Sequence, residues 1–406
     1  MLPRQLSDDV RGDFPFFTER EDGAQVLYLD SAATSLTPRV VLETMTDFYV
    51  RLSANVHRAK YLHSQLASEA YEEARSTVAR FLGMEAAEVV FTAGCTAAIN
   101  LVAAGLELGA GQAVALSLYE HHANILPWMS RHRVVWFDPA RCDANALADL
   151  LRREKVGLLA LTACSNASGV VPPVAEYAAA ARQQGIPVLI DAAQYVPHYG
   201  GNLPALGGDF YVLSGHKMVG PFGVGVLAAR FEWLERLAPP WLGGGVVERV
   251  SSDGYTLRGI PTRFEAGTPP IPEVLGLARA AEYLEGLGWA RLQAHEEQLR
   301  ARLAERLARI PQVVRLEAEW EGRRSAVTSI TFAQQGTRWE DLVARMLYDR
   351  FKICVRAGHH CAHPYLSARG HGGTVRFAPY FYNSLEEIDR VADALEEVVG
   401  QLMPTR

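Results

Sequence analysis

Two apolar runs of this chain end in groups that could act on a small molecule. Ile186-Pro-Val-Leu-Ile-Asp191-Ala-Ala-Gln194 reads as a buried strand closing on a carboxylate, and Asp209-Phe-Tyr-Val-Leu213 leads into Ser214-Gly-His216-Lys217. Strand C-terminal ends are where open α/β sheets assemble their sites. Alone, Asp191 and Lys217 read equally well as a structural ion pair. The surroundings add a second reading, because Ser214, Gly215, Gly220 and Gly223 leave room beside the lysine for a planar ligand. Phe91-Thr92-Ala-Gly94-Cys95-Thr96 reads as a strand, a small-residue turn and a helix start. Backbone N–H groups and a hydroxyl at such a turn bind an anion. Many βα turns look alike, so its weight comes from sharing a sheet with Asp191 and Lys217.

An amine to bond an aldehyde, an acid to keep a pyridine nitrogen protonated and a phosphate cradle are the demands of pyridoxal 5'-phosphate. His121, in Glu120-His121-His122-Ala-Asn124, is either a hydrogen-bonded structural residue or a ring lying flat on that cofactor. Further on, Arg356-Ala-Gly358-His359-His360-Cys361-Ala-His363-Pro364 gathers three histidines and a cysteine. A metal site and an inert buried thiol are both open to such a cluster. The tight spacing, the Gly and Pro of a loop and the lack of a second ligand cluster favour a thiol on a mobile loop. Its basic neighbours promote the thiolate, which makes Cys361 a candidate nucleophile. Arg356 and Arg376 are candidate forks for a carboxylate, or else surface arginines.

The elements that must position these groups alternate along the chain. Seven short apolar runs (88–92, 113–117, 133–137, 156–162, 186–190, 209–213 and 223–227) read as strands buried on both faces of a mainly parallel sheet. Segments 97–106, 145–153 and 174–184 fit crossover helices. A long helical stretch is expected over about 273–310, then strand-like runs at 324–332 and 351–355, then a helix opened by the capping box Ser384-Leu-Glu-Glu387. The expectation is an α/β protein with a large domain over 31–287 and a smaller α+β domain over 288–406, against which residues 1–30 pack.

Composition excludes several classes. Of 406 residues, 49% are apolar and 21% charged, which is ordinary for a globular protein and unlike a disordered or fibrous chain. Forty basic against 46 acidic residues give a net charge of −6, so neither nucleic acid nor a membrane is an expected partner. Five irregularly spaced cysteines with no CxxC pair form no disulfide framework or zinc ribbon, and no apolar run is long enough to span a bilayer. A reducing cytoplasm is the expected location.

The motifs DAAQ, SGHK, EHHAN, FEAGTP and RAGHHCAHP, in that relation to one another, resemble a fold-type I pyridoxal-phosphate enzyme of aminotransferase class V. More closely, they are similar to the group II cysteine desulfurases, also called selenocysteine lyases. The likeness runs from Leu29-Asp-Ser-Ala-Ala33 through Asn55-Val-His-Arg58 to the last helix. It implies that Lys217 bonds the cofactor aldehyde, Asp191 pairs with the ring nitrogen, Gln194 bonds the ring hydroxyl and His121 stacks on the ring and aids proton transfer. Thr96, Ser214 and His216 would hold the phosphate, with Cys95 contributing its backbone only. Thr268 would reach the phosphate of the other subunit of a homodimer. Asn166 and Arg376 would hold the substrate carboxylate with Arg356 nearby, and Cys361 would take sulfur from L-cysteine or give way to selenium release from L-selenocysteine. The sulfur would pass to an acceptor protein, most often for iron–sulfur assembly. The alternatives are another class V reaction (transamination, epimerisation or kynureninase-type cleavage), which gives Cys361 no covalent role, and a non-catalytic scaffold on the same fold. Three places depart from the family pattern: Cys95 stands where a threonine is common, Phe222 where a small hydroxyl residue is usual, and 377–382 is unusually aromatic. These are expected to alter phosphate contacts and pocket shape.

Overall fold

Strands with both faces covered can carry apolar side chains at nearly every position, and most of the runs named above do so. In the computed structural model they form one sheet: β1 (Val89–Thr92), β2 (Ala113–Ser117), β3 (Arg133–Phe137), β4 (Val156–Thr162), β5 (Val188–Asp191), β6 (Phe210–Ser214) and β7 (Gly225–Ala229). The described residues are 4–22, 25–57, 60–333 and 339–403; Arg58 of the Asn55-Val-His-Arg58 stretch lies outside them. The order is β1-β7-β6-β5-β4-β2-β3. All pairings are parallel except those of β7, which runs antiparallel to both neighbours. Every residue of β2, β4, β5, β6 and β7 is buried. This is the seven-stranded, mainly parallel α/β sheet expected from the sequence. Helices Cys95–Gly105, Ala144–Arg153 and Val174–Arg182 lie between strands as expected.

One carboxylate ties together the starts of the two strands that matter most. Asp209 accepts the Val188 N–H at 2.8 Å and the Trp233 indole N–H at 2.9 Å, and also pairs with Arg230. The parallel register that follows puts Asp191 opposite Val212, two residues before β6 ends.

The chain divides into two compact units. One comprises the described residues between 39 and 163 and between 173 and 286, and holds the large sheet. The other comprises those up to 38, from 164 to 172 and from 287 onward. Residues 31–38 and 164–172, expected in the large domain, thus belong to the smaller unit. For 164–172 the cause is local pairing. Val170 bridges Arg324, the Val171 N–H donates to Arg323 C=O at 3.0 Å, and Ser329 donates to Ala167 C=O. Gly169 makes the approach possible, since it has φ +74° and a Cβ there would stand 2.5 Å from the Val327 oxygen.

The smaller unit carries an antiparallel sheet of β8 (Val313–Arg315), β9 (Thr328–Phe332), β10 (Arg356–Gly358) and β11 (Thr374–Phe377), in the order β8-β9-β11-β10. Leu299, Leu303, Leu347 and Leu395 from its helices bury Ile330, Val375 and Phe377. The expected single helix over about 273–310 is two, Ile271–Leu287 and Trp289–Leu307, parted by Gly288 at φ +79°. A left-handed glycine ends the helical path at little cost. Helix Leu385–Leu402 has the full capping box: Glu387 N–H donates to Ser384 Oγ and Ser384 N–H to Glu387 Oε2, both at 3.2 Å. The aromatic stretch packs inside the smaller unit. Tyr380, Phe381 and Tyr382 are fully buried, Tyr382 meets Phe14 edge-on at 4.9 Å, and its hydroxyl accepts the Leu36 N–H and bonds Ser31. Its bulk packs the N-terminal segment. Among the described residues no helix is long and apolar enough to cross a membrane.

Candidate functional site

In the large unit, Asp191 closes β5, and Lys217 closes the 3-10 turn Gly215–Lys217 that follows β6. Asp191 is 5% exposed. Burial pushes its carboxyl up, and the opposing forces are the Lys217 charge, the Ala193 N–H at 3.0 Å and the Cys95 thiol at 3.4 Å. Cys95 therefore does more than lend its backbone: its thiol donates to Asp191 Oδ1, and its N–H donates to Ser214 Oγ at 2.9 Å. Burial, then the Asp191 charge, holds that thiol well above its ordinary range, so it stays a donor.

The small-residue turn has the shape the sequence suggested. Gly94 adopts φ +148°, and a Cβ on Gly225 of β7 would fall 2.5 Å from the Gly94 Cα, so turn and strand touch backbone to backbone. The first bond of helix Cys95–Gly105 runs from Ala98 N–H to Gly94 C=O. The N–H groups of Thr96 and Ala97 precede that bond, as the first amides of any helix do. Thr96 is exposed, and Ser214, the last residue of β6, is buried against the turn through its bond to the Cys95 N–H. His216 is half-buried with its ring stacked on Phe222 at 5.3 Å and 17°; burial, then the Lys217 charge, pulls its imidazole down to about 4. Gln194 is buried in the turn directly after Asp191.

His121 follows β2, and its position depends on a residue that motif reading passed over. Glu120 is fully buried and accepts from Ser117 Oγ, Asn124 Nδ2 at 2.7 Å and the Thr162 N–H at 2.8 Å. It thereby ties the His121 turn to the ends of β2 and β4. His121 Nδ1 accepts the Ala123 N–H at 3.0 Å, which leaves the ring proton of the neutral form on Nε2. Burial pushes the Glu120 carboxyl up to about 8, against those three donors. Between its ordinary 4.5 and about 8, the folded chain holds a proton that the unfolded chain has released. Stability therefore falls as pH rises through that window. Glu120→Gln, which cannot ionise, is expected to flatten this slope, as read from urea midpoints at about pH 5.5 and about pH 8. An unchanged slope would contradict the assignment.

Thr268 is exposed, and its hydroxyl accepts from Asn55 Nδ2 at 3.4 Å. Its loop is anchored by Glu265, which the sequence did not single out. Glu265 takes Arg75 Nη1 at 2.7 Å and Nη2 at 2.9 Å, the Phe91 N–H at 2.8 Å and the Tyr71 hydroxyl at 3.1 Å. Both members of the ion pair are buried. Glu265→Ala strands the arginine charge and the Phe91 amide, so a loss of about 3–5 kcal/mol is expected in urea denaturation. A loss below about 1 kcal/mol, the value of a surface pair, would contradict this. Thr268 and Thr92 line a common cavity of about 500 Å³ with Ala93, Ala97 and Gly223.

The smaller unit gathers the other candidates. Arg376, on β11, is 2% exposed; its Nη1 donates to Asn166 C=O at 3.0 Å and its Nη2 to Asp30 Oδ1 at 3.1 Å. Arg356, on β10, grips the same Asp30 with Nε at 3.1 and 3.2 Å and Nη2 at 2.7 Å. Asn166 Nδ2 donates to His360 C=O at 2.8 Å, which joins the arginines to the cysteine turn. Cys361 is exposed, and both arginines lie within its electrostatic reach. The loop that carries Cys361 takes the form of a turn. His360 and Cys361 have φ +52° and +55°, Ala362 N–H bonds His359 C=O at 2.9 Å, and the rings of His359 and His363 stack at 4.0 Å. His360 is buried with Nε2 on Thr374 Oγ1 at 2.7 Å, and burial pulls its imidazole down to about 3. Among the described residues no three His, Cys, Asp or Glu side chains converge as metal ligands.

The profile of the aminotransferase class-V family matches residues 27–391. A Vibrio cholerae protein named probable cysteine desulfurase is 37% identical over 407 residues, 97% of this chain and 99% of its own. One of the same name from Pyrococcus abyssi is 37% identical over 98% of this chain and 99% of its own. Of solved structures, the apo cysteine desulfurase of Thermococcus onnurineus NA1 matches with a TM-score of 0.89 at 35% identity, covering 99% of this chain and 100% of that one. The Escherichia coli cysteine desulfurase CsdA, in an S-sulfonic acid form, matches at 0.85 and 31%, with 99% and 100% covered.

Proposed function

The chain belongs to the aminotransferase class-V family, and we propose that it is a pyridoxal 5'-phosphate-dependent cysteine desulfurase, converting L-cysteine to L-alanine and leaving the sulfur as a persulfide on Cys361. The residues of the large unit fit that cofactor. Asp191 is buried with Oδ1 already bonded to two donors, so Oδ2 is the oxygen for a ring N–H. The Gly94 turn packs backbone to backbone on Gly225 and opens helix Cys95–Gly105, whose first amides would receive the cofactor phosphate. When bound, the cofactor supplies an aldehyde for an amine and a protonated ring that draws electrons from the substrate α-carbon.

The remaining work falls to side chains of the protein. Lys217 Nζ would bond the aldehyde, and as a free amine it would be the base for the substrate α-proton. Asp191 would keep the ring nitrogen protonated, Gln194 would bond the ring hydroxyl, and His121 would contact the ring with its Nε2 proton available. Thr96, Ser214 and His216 hold the phosphate, Cys95 fixes Ser214 through its N–H, and Thr268 serves the other subunit of a homodimer. Asn166 and Arg376 bind the substrate carboxylate, with Arg356 beside them. The Cys361 thiolate bonds the substrate sulfur as the Cβ–S bond breaks, and that bond's electron pair stays with carbon, which is then protonated. Cysteine plus thiol thus gives alanine plus persulfide, for delivery to an acceptor protein; L-selenocysteine is a second candidate substrate. The reducing cytoplasm suits a free thiol in this role.

The observation that carries the proposal is the exposed Cys361 thiol beside two arginines, in a chain that also has Asp191 and Lys217 at adjacent strand ends. Other class V reactions need only the second pair. Mass spectrometry after treatment with L-cysteine is expected to find one added sulfur on the Cys361 peptide. The peptide unmodified while alanine accumulates would exclude the persulfide route.

A further inference from the structure

Asp30 lies in the Leu29-Asp-Ser-Ala-Ala33 stretch and is placed by backbone pairing. The Leu29 N–H donates to Cys354 C=O at 2.9 Å, and Asp30 itself bridges Ala378. Its carboxylate is 15% exposed and meets both arginines of the small unit at once, Arg356 through three contacts and Arg376 through one. Two guanidinium groups and one carboxylate sum to a charge of +1. Each of these arginines also lies within electrostatic reach of Cys361. Arg376 has a further mark of an incomplete set, since its buried Nε has no hydrogen-bond partner. Burial acts against the Arg376 charge, and Asp30 is the group that offsets it.

We infer that Asp30 is a positioning residue that holds Arg356 and Arg376 together and limits the charge facing Cys361 to that of one anion. The inference rests on the reading of these arginines as the substrate-carboxylate site. One site charge then matches one substrate carboxylate, and a bound substrate leaves no surplus positive charge beside the Cys361 sulfur. Without Asp30 the cluster carries +2 and attracts anions indiscriminately.

The charge can be read at the thiol without cofactor or turnover. Alkylation of Cys361 by anionic iodoacetate and by neutral iodoacetamide is followed on its own peptide by mass spectrometry, and the ratio of the two rates is taken. Asp30→Asn is expected to raise that ratio about three- to ten-fold, the effect of one added charge at this range in a partly solvated site. Because that variant leaves Arg376 poorly compensated, Asp30→Asn/Arg356→Gln is measured beside it; it restores the sum to +1 and is expected to return the ratio to the parent value. Arg356→Gln alone is expected to lower it. An unchanged ratio in Asp30→Asn, or a double variant that stays away from the parent value, would overturn the inference. A moved ratio in a protein that forms no persulfide would instead refute the desulfurase reading and leave the role of Asp30 standing.

Discussion

Cys361→Ala loses at least about 10³-fold in sulfide released from L-cysteine in the presence of a reductant, while its cofactor content stays at the parent level. In the proposed reaction this thiol is the bond-forming atom, and the size of the effect follows from that role. Cys95 is buried and spends its thiol on Asp191, Cys164 is buried, and burial raises the thiols of both. Retained cofactor is expected because Cys361 belongs to the smaller unit and the cofactor candidates belong to the large one. Full retention of sulfide release would favour a class V reaction in which the thiol has no covalent part.

In the proposed reaction Lys217 supplies both the amine that bonds the aldehyde and the base for the α-proton, so Lys217→Ala is expected to lower alanine formation by at least about 10⁴-fold. The protein should still fold: Lys217 lies half-buried on a short turn, and the neighbouring strands β5 and β6 are held by Asp209 rather than by the lysine. Asp191 then loses the charge that opposes its burial, so the variant should bind the cofactor more weakly and by non-covalent contacts only. A fold-preserving variant that kept near-parent alanine formation would remove Lys217 from the chemistry.

Much of this arrangement was legible in the sequence for a definite reason. Strands covered on both faces must be apolar throughout, so β2, β4 and β6 stand out as runs, and a charged residue closing one, as Asp191 does, is conspicuous. What escaped notice depends on contacts distant along the chain. Asp30 looked like part of a motif, but its arginine partners lie at 356 and 376. Glu265 anchors the Thr268 loop through Arg75, and no local pattern links the two. Glu120 was hidden beside the more noticeable His121, although a carboxylate three residues after a buried strand is itself a signal. The placement of 164–172 in the smaller unit follows from pairing with residues 323–329, which no periodicity encodes. The stretch 377–382 stands out by its aromatic composition, which gives no direction; Phe14, Ser31 and Leu36 around Tyr382 supply one.

Borohydride reduction of the cofactor-loaded protein, followed by peptide mass spectrometry, bears most directly on the lysine. The expected result is a single pyridoxyl-phosphate adduct on the peptide containing Lys217. An adduct on another lysine, or an unmodified Lys217 peptide from protein that retains stoichiometric cofactor, would contradict the account.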